Sequence, residues 1–468
     1  MIPCVISTAF TLGFTLEVHS PKAQGSNGIE VIFCYSFTPR HILRIYLDHG
    51  STHIDDSPVY AAWTVPKAMS GLVRLLASAG RLSALLVWER CSNPKVRRAG
   101  ETPPNERALT AEWFTDVLCA DRPGVEVTGI ERGTASSGST VRRQFLLSYN
   151  AQGEEQVAAE VGQRGGLPRS VFAKLTPTLR ARLAYGSGAM VDESLFLNAL
   201  RPQLGPAFEA PWGYFASYDL RTCRSIQMME DLVATRDASF GTPETQISRA
   251  QAEEVITTLA TLHGTFNRDP RLDARYTTLR TVGQWYRSAE PFRLDKYHGL
   301  AMNKAAHVIP PHLHRRRAET WPAFMRSVAR HAELPQTLLH SDVHLGNWYM
   351  TGDGHMGLGD WGCVMKGNWA RDVAYALSGT LTVENRRAWE RDLISLYIEA
   401  VRVAGGDDLS FDNAWLLYRQ QLFQGLLMWT PTLCHSPLLP DMQPEHVALE
   451  MIKRTATAID DLDALDAV

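Results

Sequence analysis

The run Leu338-Leu-His-Ser-Asp-Val-His-Leu-Gly-Asn347, followed by Gly357-Leu-Gly-Asp-Trp-Gly362, constrains this chain more than any other stretch. It sets Asp342, then Asn347 five residues on, then Asp360 eighteen residues after Asp342. The apolar residues Leu338, Leu339, Met356 and Leu358 predict short strands that frame this trio and hold its polar side chains in place. Two acids and an amide at strand ends, with a turn between them, predict a fixed polar site.

Phosphoryl transfer asks for that inventory. It needs a carboxylate beside the attacking hydroxyl, charge neutralisation by Mg²⁺ and in-line positioning, with little covalent work from the protein. Asp342 suits the first task. Asn347 and Asp360 carry hard oxygen atoms suited to Mg²⁺.

Upstream residues supply a nucleotide half. Thr110 is placed to cap a short amphipathic helix carrying Trp113, Phe114, Val117 and Leu118. A strand over 125–130, a loop over Gly133–Thr140 and a strand over 141–149 form a hairpin, with Gly133, Ser136, Ser137 and Gly138 offering backbone amides to phosphates. The loop nearly fits a Walker A motif but fails it. The lysine position is Ser139, and the following residues alternate like a strand instead of opening a helix. Val171-Phe-Ala-Lys-Leu175 is an apolar strand with a single lysine, the pattern of the kinase strand whose Lys meets the α- and β-phosphates. Glu193, near the start of a helix over 191–200, is within reach as the partner of Lys174, although a glutamate in a first helical turn is also ordinary dipole chemistry. In kinase-like proteins a strand ending as Met228-Met-Glu230 does leads into a hinge whose backbone meets adenine, which would set both methionines near the purine. The competing reading makes them core residues.

A long helix over 248–266 carries His263, read as a hydrogen-bonded structural histidine. Residues 267–318 read as irregular apart from a candidate helix over 282–290 that Pro291 stops, and the C-terminal part reads as helices over 384–404, 412–429 and 446–463. Trp415, Tyr418 and Trp429 are candidate pocket walls on these helices, against the commoner role of core aromatics.

These landmarks resemble the aminoglycoside phosphotransferase and choline kinase-like superfamily, including its ecdysteroid kinase-like branch. His340-Ser-Asp-x4-Asn347 is similar to that family's HGDxxxxN loop, and Asp360-Trp-Gly362 stands where its metal-binding Asp segment falls. Leu259-Ala-Thr-Leu-His-Gly-Thr-Phe266 and Trp369-Ala-Arg-Asp-Val-Ala-Tyr375 add supporting matches, over about residues 107–465. Ser341 departs from the family's usual glycine. The resemblance implies an α+β, two-lobed protein-kinase-like fold with a small antiparallel-sheet N-lobe over 107–235 and a larger helical C-lobe over 236–468. Residues 1–106 are then an N-terminal extension of unknown role, expected to be poorly ordered. The resemblance also implies ATP and Mg²⁺ as cofactors and an ATP-dependent phosphotransferase acting on a hydroxyl of a small molecule. Asp342 is the catalytic base, and Asn347 and Asp360 are the metal ligands. Lys174 meets the phosphates with Glu193 as its partner, while Met229 and Glu230 lie at the nucleotide. Asp372 and His340 are structural, and the helices together with 267–318 form the acceptor pocket. The alternative is a nucleotide-binding module without catalysis.

Composition narrows the partners. With 47 Lys+Arg against 50 Asp+Glu the net charge is −3, so no basic excess argues for nucleic acid. No apolar run reaches the ~18 residues that span a bilayer, and the first ten residues lack a basic segment before an apolar one, so neither a membrane anchor nor a signal peptide is expected. Seven scattered cysteines without a CxxC pair point to neither a zinc site nor a disulfide framework, and a reducing cytoplasm is the expected location.

Overall fold

The computed structural model describes residues 14–19, 29–35, 42–48, 51–53, 67–92, 94–96, 100–137, 140–184, 188–437, 439 and 441–468, with side chains from residue 78 onward except 136, 137 and 184. The chain divides into two compact units, Met1–Ala84 and Leu85–Val468. In the first, β1 (Phe14–His19), β2 (Ile29–Tyr35), β3 (Ile42–Asp48) and β4 (Ser51–His53) form an antiparallel sheet in sequential order. Helix α1 (Lys67–Ser92) contains the division at residues 84 and 85.

Residues 85–106, grouped by sequence with the extension, therefore belong to the second unit. The physical reason is Glu89, which is buried and accepts from Arg182 Nη1 at 2.8 Å, Arg182 Nη2 at 2.6 Å and Arg224 Nε at 2.9 Å. A buried carboxylate held by two guanidinium groups is costly to pull apart, because either half alone is an uncompensated charge.

The second unit has two lobes. Helix α2 (Ala111–Leu118) starts where Thr110 caps it, its Oγ1 accepting from the Trp113 amide at 3.3 Å. Trp113, Phe114 and Leu118 then face a five-stranded antiparallel sheet in the order β5-β6-β7-β9-β8. Its strands are β5 (Val127–Ser137), β6 (Val141–Tyr149), β7 (Ser170–Leu175), β8 (Gly213–Asp219) and β9 (Arg224–Glu230). The pleat sends Phe145, Leu147, Val171, Ala173, Ile226 and Met228 into the N-lobe core with α2. The opposite face carries Arg142, Phe172, Lys174 and Met229. Arg142 stands opposite Lys174, and Phe172 opposite Met229, in the strand register.

This parity corrects one expectation. Met228 is fully buried in the N-lobe core, away from any purine, and only Met229 lines the space below the sheet. A second correction concerns the hairpin. β5 continues to Ser137, so Gly133, Ser136 and Ser137 sit in strand and not in a connecting loop. A register shift between Arg132 and Ala135 places Gly133 at a bulge, where an added Cβ would run into Gln144. Gly138 lies outside the described residues.

The rest of the unit is mostly helical. Helix α3 (Ala189–Leu195) continues as one π-helical turn over Phe196–Leu200. Ser248 and Gln251 close a capping box on α4 (Arg249–Thr265). Residues 267–318 contain the helix expected at 282–290 but are more regular than expected around it. They hold short helices, among them α5 (Val282–Ser288), with a Thr281–Gln284 capping box, and α6 (Leu294–Lys304). Such short segments bury few apolar positions each, so their sequence periodicity is weak. Next come α7 (Arg317–Ala332), β10 (Ser239–Phe240) paired with β12 (Trp348–Met350), β13 (Met356–Leu358), and β11 (Thr337–Leu339) paired with β14 (Met365–Gly367). Last are α8 (Ala370–Thr380), α9 (Val383–Val403), α10 (Phe411–Gln421), α11 (Phe423–Leu433) and α12 (Glu445–Asp461). The expected 412–429 helix is thus two helices, α10 and α11, which together with α8 and α12 build the main core. No helix among the described residues is long and apolar enough to cross a membrane.

Candidate active site

The short strands β11 to β13 deliver the polar trio as their spacing predicts. Asp342 follows β11, Asn347 precedes β12, and Asp360 follows β13. Two non-glycine residues here adopt the left-handed backbone region, Ser341 at φ 67° and Asp360 at φ 55°. Such residues cost of order 1–3 kcal/mol each and persist only where surrounding contacts impose them.

Asp372 does much of that imposing at Ser341. It is fully buried, and its Oδ2 accepts the His340 amide at 2.7 Å while Oδ1 accepts the Ser341 amide at 2.9 Å. His263 also lies 3.3 Å from its Oδ2 and 2.9 Å from the Tyr397 hydroxyl. Both residues act in the structure as the sequence suggests, beneath the site.

His340 ties the two acids together. Its Nε2 donates to the Gly359 carbonyl at 2.9 Å, and its Nδ1 accepts the Asp342 amide at 3.3 Å. Burial lowers its pKa and keeps it neutral, consistent with one donating and one accepting nitrogen. Trp361 meets His340 edge-on at 4.6 Å and stacks on Phe196 at 3.6 Å and 3°.

Above this base lies an ionic cluster that joins the lobes. Lys174 Nζ reaches Glu193 Oε1 at 2.7 Å and Asp360 Oδ1 at 3.0 Å. Arg142 Nη2 stands 3.6 Å from Asp360 Oδ2. Lys174 and then Arg142 hold the Asp360 carboxyl well below the usual carboxylate range, against the opposing effect of burial. Burial pushes Glu193 up and opposes the charge on Lys174, but the Asp360 and Glu193 carboxylates together raise the lysine's pKa. Glu193 Oε2 is buried without a hydrogen-bond partner among the described residues.

Asp342 is less committed. Its side chain is 23% exposed, and its Oδ1 accepts from the Tyr375 hydroxyl at 3.3 Å. Asn347 Nδ2 donates to the Asp342 carbonyl at 2.7 Å and to Oδ2 at 3.1 Å. With the amide nitrogen used, Asn347 Oδ1 is the end left without a bond among the described residues.

A cleft of about 550 Å³ connects these groups. Arg142, Phe172, Lys174 and Met229 form its roof, Glu230 to Val233 its back, and His344, Leu345, Asn347, Asp360 and Trp429 its floor and far side. The Glu230 side chain points away from it, engaged by Thr235 Oγ1 at 2.8 Å, Arg236 Nε at 2.9 Å and the Trp212 amide at 3.2 Å. The Glu230 amide is engaged as well, donating to the Trp212 carbonyl at 2.8 Å. The amides of Asp231 and Leu232 make no hydrogen bond among those described.

Of the residues expected from sequence, Lys174, Met229, Glu230, Asn347 and Asp360 line this cleft. Asp342 stands beside it, and Glu193 reaches it through Lys174. Gly133 does not line it. Of the proposed aromatic walls only Trp429 does. Tyr418 is buried with its hydroxyl on Glu390 at 2.9 Å, and Trp415 packs with Phe411. No residue of 267–318 lines it either. Those helices brace α11 from behind, through His298 on Thr430 at 2.8 Å and Tyr286 on Gln424 at 3.3 Å. Sequence reading missed Arg142 and Tyr375. The alternation of Phe145, Leu147 and Tyr149 already places Arg142 on the opposite face, whereas nothing in the apolar run around Tyr375 marks its hydroxyl.

Residues 180–411 match a family model described as the phosphotransferase enzyme family. That segment contains Glu193, Met229, Glu230, Asp342, Asn347 and Asp360, and Lys174 stands just before it. Among solved structures similar to this chain, a Plasmodium vivax ethanolamine kinase is 12% identical, with 85% of this chain and 95% of that chain covered at a TM-score of 0.40. Choline kinase LicA from Streptococcus pneumoniae is 11% identical over 75% of this chain and 98% of its own, at a TM-score of 0.36. Spectinomycin phosphotransferase APH(9)-Ia, in complex with ADP and spectinomycin, is 14% identical over 77% and 99%, at a TM-score of 0.39. Among curated proteins nothing matches the sequence.

Proposed function

We propose that this protein transfers the γ-phosphoryl group of ATP to a hydroxyl of a small molecule. The carrying observation is the Glu193–Lys174–Asp360 cluster, which places a buried cation and a carboxylate from opposite lobes in one cleft with Asn347, beside Asp342. Adenine would lie between Phe172 and Met229 above and Leu345 below, against the free amides at Asp231 and Leu232. Glu193 orders the Lys174 ammonium so that it faces the phosphates.

The donor set fits Mg²⁺. Asp360 and the free Oδ1 of Asn347 offer two hard oxygens, and no group of three or more His, Cys, Asp or Glu side chains is placed to hold a metal among the described residues. Two protein ligands with phosphate and water oxygens completing the shell is the usual Mg²⁺ arrangement. When bound there, the ion supplies neutralisation of charge developing on the transferred group. Lys174 and Arg142, which stand beside Asp360, are the cations that would face the phosphate oxygens.

Asp342 accepts the hydroxyl proton. Tyr375 and Asn347 hold one carboxylate oxygen each, which fixes the plane of the carboxylate for that transfer. The test is γ-labelled ATP with a metabolite mixture, comparing wild type with Asp342→Asn. Label transfer by wild type that is lost in a variant still stabilised by ATP supports the reading. Equal label transfer by both removes Asp342 from its role.

A further inference from the structure

The charges in the cleft are distributed unevenly. Arg142, Lys174, Asp360, Glu230 and Asp231 all lie at its roof, back and phosphate end. Each is engaged there, Asp231 by Gln144 Nε2 at 2.6 Å and by the Ser170 hydroxyl, and the others as described above. Beyond Asp342 the lining changes character. His344, Trp429, Gln443, Pro444, Val447 and Met451 form that end, from the catalytic loop, α11 and the first turns of α12.

These walls belong to the Asp342 side of the cleft. His344 Nε2 lies 3.8 Å from Asp342 Oδ2, and its ring meets Trp429 edge-on at 5.0 Å. Acidic residues on the neighbouring surface turn elsewhere. Glu445 binds Lys304 at 2.8 Å, Glu450 binds Arg454 at 2.9 Å, and Asp441 binds His435 at 2.9 Å. None of the three lines the cleft.

We infer that the acceptor is an uncharged alcohol with a predominantly apolar body, not an amine or quaternary ammonium compound. This rests on the phosphotransferase reading above. A cation at this end would be desolvated against Val447 and Met451, and the carboxylate nearest it, Asp342, is already bonded by Tyr375 and Asn347 and takes up the acceptor proton. An apolar body is favoured here because it leaves water on burial against these walls, and Gln443 and His344 remain to orient its polar end. In the reaction, the acceptor oxygen forms the new bond to the γ-phosphorus as its proton passes to Asp342. The bond from the γ-phosphorus to the β,γ-bridging oxygen breaks, and its electron pair leaves on ADP.

The experiment measures ADP release by the full-length protein with two acceptor sets. Geraniol, dodecanol and testosterone represent neutral alcohols; choline, ethanolamine and kanamycin represent cationic ones. Turnover with at least one neutral alcohol, and at least tenfold lower kcat/KM for every cationic compound, is expected. Val447→Glu, at a half-exposed position, should raise KM for the neutral acceptor about tenfold and leave KM for ATP unchanged. Transfer only to cationic acceptors, or to neither set, by a protein that ATP stabilises overturns the inference and leaves nucleotide binding standing. Absence of ATP stabilisation in the wild type refutes the phosphotransferase reading itself.

Discussion

Two carboxylates thirty residues apart, Asp342 and Asp372, lie on opposite sides of the same loop and do opposite things. Asp372 is fully buried, and both its oxygens are saturated by backbone amides and His263. Asp342 is partly exposed, steadied by Tyr375 and Asn347, and keeps capacity for a further proton or ligand. The difference separates a carboxylate that builds the loop from one left able to act in the proposed reaction. Burial and hydrogen-bond completeness tell them apart, since both are acids in short motifs.

The largest test of that contrast is Asp342→Asn. A general base contributes about 10²- to 10⁴-fold, so turnover should fall within that range while the melting temperature and its ATP-induced rise stay near wild type. A large drop in melting temperature would instead place Asp342 with Asp372. Asp372→Ala should do the reverse. It strands two buried amides at ~1–3 kcal/mol each, so unfolding in urea should show a loss of about 3 kcal/mol. An unaffected midpoint would refute the supporting role.

Arg142→Gln sharpens the comparison at the open side of the cleft. If Arg142 faces the phosphates as proposed, removing its charge should weaken ATP binding by about tenfold, the usual ~1.5 kcal/mol of a charge-assisted hydrogen bond. Adenosine binding should not change, and titration calorimetry with the two ligands reads both. Equal losses for both would place Arg142 at the base instead of the phosphates.

The scaffold should also show a pH signature. Burial pushes His298 down to about 4, and its ring nitrogens lie 2.8 Å and 2.7 Å from the hydroxyls of Thr430 and Thr320. The unfolded chain binds this proton more readily, so His298 costs stability as pH falls from about 6.5 towards 4. His298→Gln should flatten that part of the stability curve relative to wild type; parallel curves would remove the assignment. The smallest effect belongs to Ser341→Gly. Glycine adopts φ 67° without a Cβ penalty, so stability should rise by up to ~1 kcal/mol with turnover retained. A destabilised variant would show that the serine contributes more than its strained backbone costs.

The sequence made the acids legible because their chemistry depends on spacing along one short stretch. Lys174 and Glu193 were legible as a pair because a lone lysine in an apolar strand needs a partner. Met228 and Met229 show where such reading stops. Adjacent and chemically identical, they are separated only by strand parity, which the register with Phe172 decides. The extent of the hairpin escaped for a related reason, since glycine and serine at 133–137 suggest a loop but tolerate a bulged strand. Tyr375 and the bracing role of 267–318 depend on contacts between distant segments, which no local pattern encodes.

The Phe196–Trp361 stack has a mechanical consequence. Phe196 directly follows the helix that carries Glu193, and Trp361 directly follows Asp360. The two rings gear that helix to the turn below it, so a displacement of one drags the other. Any signal that tilted α3 would arrive at both ends of the Glu193–Lys174–Asp360 cluster at once, and the site would engage or disengage as a unit.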